Sequence, residues 1–172
     1  MKIINKIRGY SYDAVIFDDL DCYMFICETK GCVVITEEKT PNSNCFKPDG
    51  GTVAQKHEMG CGVACVAMFL GVSYDEAFER FFSDFDLETQ GLNMVFVREA
   101  VQDAGVDLRV YVADEVPDCR AILVVKSLNA EDEGHYVYWD GETVRDPSPL
   151  RRYETPEMLR GRIRFVMVER RR

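Results

Sequence analysis

QKHEMGCGVACVAMFL, residues 55–70, decides how this chain is read. A polar approach over 55–60 runs into small and apolar residues (Val63, Ala64, Val66, Ala67, Met68, Phe69, Leu70), and Cys61 stands at the junction. The pattern predicts a buried helix that starts at Cys61 and is ended by Gly71. A helix N-terminus presents unpaired backbone N–H groups and the positive end of the macrodipole, and both favour a thiolate over a thiol. Cys61 is therefore the candidate nucleophile. It needs from the rest of the chain a base, a group to orient that base, and donors for a developing oxyanion.

Outward from this stretch the chain reads as helices first and strands afterwards. Ser73 with Glu76 three residues later forms a capping box ahead of Ala77, Phe78, Phe81 and Phe82. After a polar loop over 84–91, Asn93 is the N-cap of a third helix. Its apolar positions are Phe96, Val97, Ala100, Val101 and Ala104, and Gly105 closes it. Strands are then expected at 106–112, 121–127, 135–139, 142–146 and 163–168, with a short helix opened by Thr155-Pro156-Glu157 before the last. Before the central stretch, residues 13–37 alternate apolar runs with polar breaks, as a hairpin or small meander would, and 38–54 read as a proline- and glycine-bearing loop. The expectation is an α+β domain over 51–172, with a central helix packed on an antiparallel β-sheet, preceded by a strand-rich accessory segment and linker over 1–50. The aromatic cluster Phe78, Phe81, Phe82 and Phe85 reads as core packing.

Composition excludes several function classes. With 47% hydrophobic and 30% charged residues the chain is globular, and no apolar run is long enough to span a bilayer. The start lacks an apolar segment followed by a cleavage site, so the reading is a soluble, cytoplasmic protein without membrane insertion. A net charge of -9 disfavours nucleic acid as a partner. The arginine-rich end, with eight arginines against three glutamates in 151–172, reads as a solvated edge. Seven cysteines are an odd number with no disulfide framework. Neither metal nor cofactor is expected: Cys22, Cys27 and Cys32 are spaced onto alternating strand faces, and His57-Glu58 has no second histidine one turn on. Cys65, one turn after Cys61, reads as a small core residue.

Two histidines exist. His57 lies in the polar approach and reads as a solvated loop residue. His135 opens the run HYVYW, joined to ETVRD through Asp140-Gly141, a strong hairpin signal. With those two as the loop, Trp139 faces Glu142, Tyr138 faces Thr143, Val137 faces Val144, Tyr136 faces Arg145, and His135 faces Asp146. An imidazole that takes a proton from a thiol needs its other nitrogen oriented and its charge stabilised, and Asp146 is placed to do both. Gln55, six residues before Cys61, is placed to donate beside the Cys61 backbone N–H to an oxyanion. Gly62 is expected to let backbone and substrate approach the nucleophile closely.

QKHEMGCGVACVAMFLG, followed by EGHYVYWDGETVRDPSP, resembles the C39-like peptidases of the papain-like cysteine protease superfamily. Their pattern is a glutamine six residues before a CG-x-A/S-C/L-x-M element, then a histidine followed by an aromatic and a valine, then Asp-Pro. The likeness covers roughly residues 53–168 and implies a papain-like fold. By that likeness Cys61 matches the nucleophile, His135 the general base, Asp146 the orienting residue and Gln55 the oxyanion donor. Gly60 departs from the pattern, standing where many members carry Asp or Asn. The His-to-Asp interval is short, and the transporter domains fused to the bacteriocin-processing members are absent. The implied function is a cysteine peptidase acting on a peptide or protein substrate. The alternatives are an acyl or peptidyl transferase with the same thioester chemistry, and a catalytically idle peptide- or partner-binding module. Glu131, Asp132 and Glu133, beside His135, read as a solvated acidic loop.

Overall fold

The computed structural model describes residues 51–131 and 133–170 in full and, before them, the backbone of five strands. These are β1 (Lys6–Ile7), β2 (Tyr10–Ser11), β3 (Asp13–Phe17), β4 (Cys22–Cys27) and β5 (Gly31–Thr36). β3, β4 and β5 form the antiparallel meander expected from their β-branched and aromatic content. The side chains of Cys22, Cys27, Cys32 and Cys45, and the loop expected over 38–50, lie outside the described residues.

Helix α1 (Cys61–Leu70) begins at the nucleophile candidate. Every residue from Gly62 to Phe69 is buried, as an all-apolar helix requires. It ends at Gly71, whose φ of 71° is left-handed and whose N–H returns to the Ala67 carbonyl. Ser73 Oγ accepts the Glu76 N–H at 3.2 Å and starts α2 (Tyr74–Ala77), which continues into a π-helical turn over Phe78–Phe82. The axis of this second segment is bent 105° from that of α1. Asn93 Oδ1 accepts the N–H groups of Val95 and Phe96 and caps α3 (Met94–Asp103). Among the described residues no single helix is long and apolar enough to cross a membrane.

The strands that follow are β6 (Leu108–Tyr111), β7 (Ala121–Lys126), β8 (Gly134–Trp139), β9 (Val144–Arg145) and β10 (Ile163–Glu169). They pair in the order β6-β10-β7-β8-β9, antiparallel throughout, and β5 joins the β6 edge in parallel. A 3-10 turn, Pro156–Leu159, stands where a short helix was expected, but Thr155 makes no side-chain cap. α1 packs on β8 and β7, with Phe69 edge-on to Tyr138 at 6.2 Å between ring centres. The result is an α+β architecture in which the start of β8 lies against the N-terminus of α1. Phe82 is fully buried and Phe78, Phe81 and Phe85 pack on the core.

The hairpin between β8 and β9 departs from the expected register. Tyr138 pairs with Arg145 and Trp139 with Val144, two residues displaced from a two-residue Asp-Gly turn. Asp140 causes the shift. Its carboxylate accepts the N–H groups of Glu142 (2.9 Å) and Thr143 (2.8 Å), the Thr143 hydroxyl (2.7 Å), and the Arg145 Nε and Nη2 (2.9 and 2.8 Å). A buried carboxylate holding that many donors closes a four-residue loop, with Gly141 at φ 103°. The strand expected at 142–146 is reduced to Val144–Arg145.

Candidate active site

Cys61 occupies the first turn of α1, with Gly60 as its N-cap. It is half-buried and unbridged, as are the deeper Cys65 and Cys119 in having no disulfide. Burial alone would push the Cys61 thiol up, but its pKa lies below the ordinary value. The imidazole of His135 beside it, a hydrogen bond with that ring, and the N–H groups of Tyr136 and Gly62 together outweigh the loss of solvent. Burial likewise opposes charge on His135. The Cys61 sulfur and the hydrogen bond to Asp146 more than offset it and push the imidazole up to about 10. Each group thus favours the charged form of the other, a thiolate facing an imidazolium.

Asp146 completes the arrangement. His135 Nε2 lies 2.7 Å from Asp146 Oδ1, which leaves Nδ1 for Cys61. The aspartate is only 4% exposed, and its remaining lone pairs accept Ser148 N–H at Oδ1 (2.9 Å) and Tyr153 N–H at Oδ2 (2.8 Å). It is therefore held as a buried acceptor by three donors, two of which sit on the Asp-Pro-Ser turn and on the loop beyond. The Tyr153 hydroxyl in turn donates to the Lys126 carbonyl, anchoring that loop to the end of β7.

Gln55 sits on the loop leading into α1, its own N–H bonded to the Pro147 carbonyl at 3.0 Å, one residue beyond Asp146. Its side-chain amide does not point free toward Cys61. Nε2 donates to the carbonyls of Glu58 (2.7 Å) and His57 (3.2 Å), because a loop that bends sharply before a helix leaves carbonyls that need donors. Gly62 also differs from expectation. A Cβ there would lie 3.2 Å from Leu92 and 3.3 Å from Val97, so the glycine admits the α3 side of the core and not a substrate. His57 is half-buried: its ring stacks on Phe78 at 4.6 Å, and Nδ1 is 2.8 Å from the Tyr74 hydroxyl. Cys65 is fully buried, and burial raises its thiol well above the ordinary range. Among the described residues no group of His, Cys, Asp and Glu is arranged to hold a metal ion.

Sequence reasoning missed Tyr74, the Tyr136 N–H on the thiol, and the two N–H donors on Asp146. Ser148 alone had a local signal, since Asp-x-Ser is a pattern in which the aspartate accepts the N–H two residues on. The others meet the site only through tertiary packing.

No family model matches the sequence, and no curated protein matches it. Among solved structures, the chain is similar to a double glycine motif protease from an AMS/PCAT transporter, determined in complex with the leader peptide. The TM-score is 0.56 at 15% identity, over 77% of this chain and 98% of that one. At that identity the likeness is one of fold: the chain has a peptidase-like α+β architecture similar to that of the double glycine motif protease.

Proposed function

We propose that this protein is a cysteine-dependent amide hydrolase, a C39-like peptidase that cleaves a peptide substrate through Cys61, His135 and Asp146. The observation that carries the reading is the line from the Cys61 thiol to the His135 imidazole beside it, whose Nε2 lies 2.7 Å from the buried carboxylate of Asp146. A fold shared with a peptidase whose structure holds a leader peptide supports a peptide as the substrate class.

In this reading the Cys61 thiolate attacks the scissile carbonyl, and the carbonyl oxygen becomes an oxyanion beside the N-terminus of α1. The Cys61 N–H, in the first helical turn, has no acceptor within the helix and is available to it. Gln55 supplies the second donor by exchanging its longer bond. The His57 carbonyl also accepts the Gly60 N–H at 3.1 Å, so it stays satisfied when the amide leaves. The His135 imidazolium protonates the departing amine from Nδ1, and the peptide bond breaks to leave a thioester on Cys61. Neutral His135 then takes a proton from water, which attacks the thioester and restores the thiolate. Asp146 holds the ring orientation in both halves.

The test is cleavage of a mixed library of unstructured peptides, read by mass spectrometry with Cys61→Ala as control. Fragments formed only by the intact thiol, with a transient acyl adduct on Cys61, are expected. A second run with a competing primary amine separates hydrolysis from transfer, since amide products would assign the protein to acyl transfer. Absence of any Cys61-dependent fragment or adduct, together with ordinary thiol reactivity, sinks the proposal in favour of a binding module.

A further inference from the structure

Gly60 has φ −84° and ψ 9°, a backbone conformation open to ordinary L residues, so backbone freedom does not explain a glycine there. Space does. A Cβ built on Gly60 would lie 2.1 Å from the Tyr74 hydroxyl oxygen and 3.1 Å from the His57 carbonyl. Tyr74 is 3% exposed, and it begins α2, after the turn at Gly71 has folded the chain back. Its hydroxyl thus fills the place a side chain at 60 would take, at the residue immediately before the nucleophile.

The hydroxyl is held there by the loop before Cys61. Its O–H is placed to donate to His57 Nδ1, 2.8 Å away, and the backbone N–H groups of His57 and Lys56 act favourably on its oxygen. His57 is braced from below by Phe78, and the same loop is tied at Met59 N–H to the Leu87 carbonyl (2.8 Å). The carbonyls of His57 and Glu58, which hold the Gln55 amide, belong to this loop. Position 56 to 60 is thereby shaped by one phenol from another helix.

Resting on the peptidase reading above, we propose that Tyr74 is a positioning residue of the oxyanion site. Its hydroxyl, seated against Gly60 and bonded to the His57 ring, sets the loop that presents the Gln55 amide and the Cys61 N–H. It does not touch the substrate and does not generate the thiolate, which His135 provides. Catalytic hydrogen bonds must be placed to within a fraction of an ångström of the developing oxyanion, so a loosened loop lowers acylation without altering thiol ionisation.

The test compares wild type, Tyr74→Phe, Gly60→Ala and the double variant in two reactions. Alkylation of Cys61 by iodoacetamide is a displacement at carbon that needs the thiolate and no oxyanion donor. Acylation by a p-nitrophenyl ester, read as the nitrophenolate burst, needs both. For Tyr74→Phe we expect acylation to fall roughly tenfold, less than for deletion of an oxyanion donor, with the pH profile of alkylation unchanged. Gly60→Ala, which drives a methyl into the hydroxyl, is expected to fall further. Tyr74→Phe/Gly60→Ala is expected to recover toward Tyr74→Phe, because the atom in conflict is gone.

Wild-type acylation by Tyr74→Phe, or equal loss in both reactions, overturns the proposal, as does a double variant whose loss is the product of the two single losses. If wild-type Cys61 itself shows no enhanced alkylation at mildly acidic pH, the peptidase reading fails first, whatever Tyr74 does.

Discussion

His135 and Asp146 meet at 2.7 Å although the hairpin that carries them does not set them opposite one another. Extended by the pairing of Tyr138 with Arg145, the register would place Asp146 across from Val137 and diagonal to His135. A slip of two residues leaves side chains on the same face, whereas a slip of one would have sent Asp146 to the other side of the sheet. The contact survives the shift because strand periodicity is two, and because Asp146 lies just past the paired strand, where the Ser148 and Tyr153 N–H groups turn its carboxylate toward the ring.

That geometry separates two variants at position 146. Asp146→Asn keeps an oxygen acceptor but removes the charge that stabilises the imidazolium, and Asp146→Ala also strands the buried Ser148 and Tyr153 donors. Each stranded donor costs about 1–3 kcal/mol, so Asp146→Ala should lose several kcal/mol in urea unfolding and Asp146→Asn clearly less. Both should lower the Cys61 alkylation rate at pH 6. Equal stability of the two variants would show that the backbone donors find other acceptors.

Thiol reactivity should follow the coupled pair. Cys61 titrates below an ordinary cysteine because the His135 imidazole, held near 10, faces it, so its thiolate fraction exceeds that of a free thiol at the same pH. Alkylation of wild type should therefore be faster at pH 6 than that of a free cysteine, which with a pKa of about 8.5 is almost wholly protonated there. In His135→Ala the principal remaining influence is burial, which opposes the anion, and the alkylation midpoint should move to or above the free-cysteine value. A profile unaltered by His135→Ala would remove the histidine from the chemistry.

Gln55→Ala should reduce acylation of Cys61 by an ester on the order of a hundredfold, the scale for one oxyanion donor, while alkylation changes little. Gln55→Glu should do at least as badly, because a carboxylate would face the Glu58 and His57 carbonyls that now accept the amide. Parallel loss in both reactions for Gln55→Ala would assign the glutamine to loop structure alone.

Gly62→Ala tests the packing of α1 against α3. With Leu92 and Val97 only 3.2 and 3.3 Å from the added methyl, the overpacked helix should lose about 1–3 kcal/mol, seen as a lower urea midpoint with an unchanged slope. A neutral effect would mean that Leu92 moves aside freely.

Asp140 supplies an acid-sensitive contribution to stability. Burial opposes its charge, but the Thr143 and Glu142 N–H groups, the Thr143 hydroxyl and Arg145 hold the carboxyl at about 2 against an ordinary 3.8. A depressed folded-state pKa stabilises the native chain above the unfolded value and loses that stabilisation as pH falls from 3.8 toward 2. The difference corresponds to about 2 kcal/mol. Unfolding free energies measured from pH 6 to pH 2 should show a smaller acid loss in Asp140→Ala than in wild type, and identical slopes would contradict this account.

Local chemistry determined much of this protein without any fold in view. The caps at Ser73 and Asn93, the glycine stop at Gly71 and the apolar run after Cys61 act within a turn or two, so α1, α2 and α3 were legible from the residues. The pairing of a lone well-placed histidine with Asp146 on one face of a hairpin was legible too, because period two is written in the chain. The register was not, since Asp140 accepts five donors that only a closed loop presents. The setting of Gln55, the function of Gly62 and the presence of Tyr74 beside Gly60 belong to tertiary structure alone. They depend on which atoms of α2, α3 and the 56–60 loop come within a few ångströms of the head of α1. No spacing in the sequence encodes that proximity; the packing of the core does.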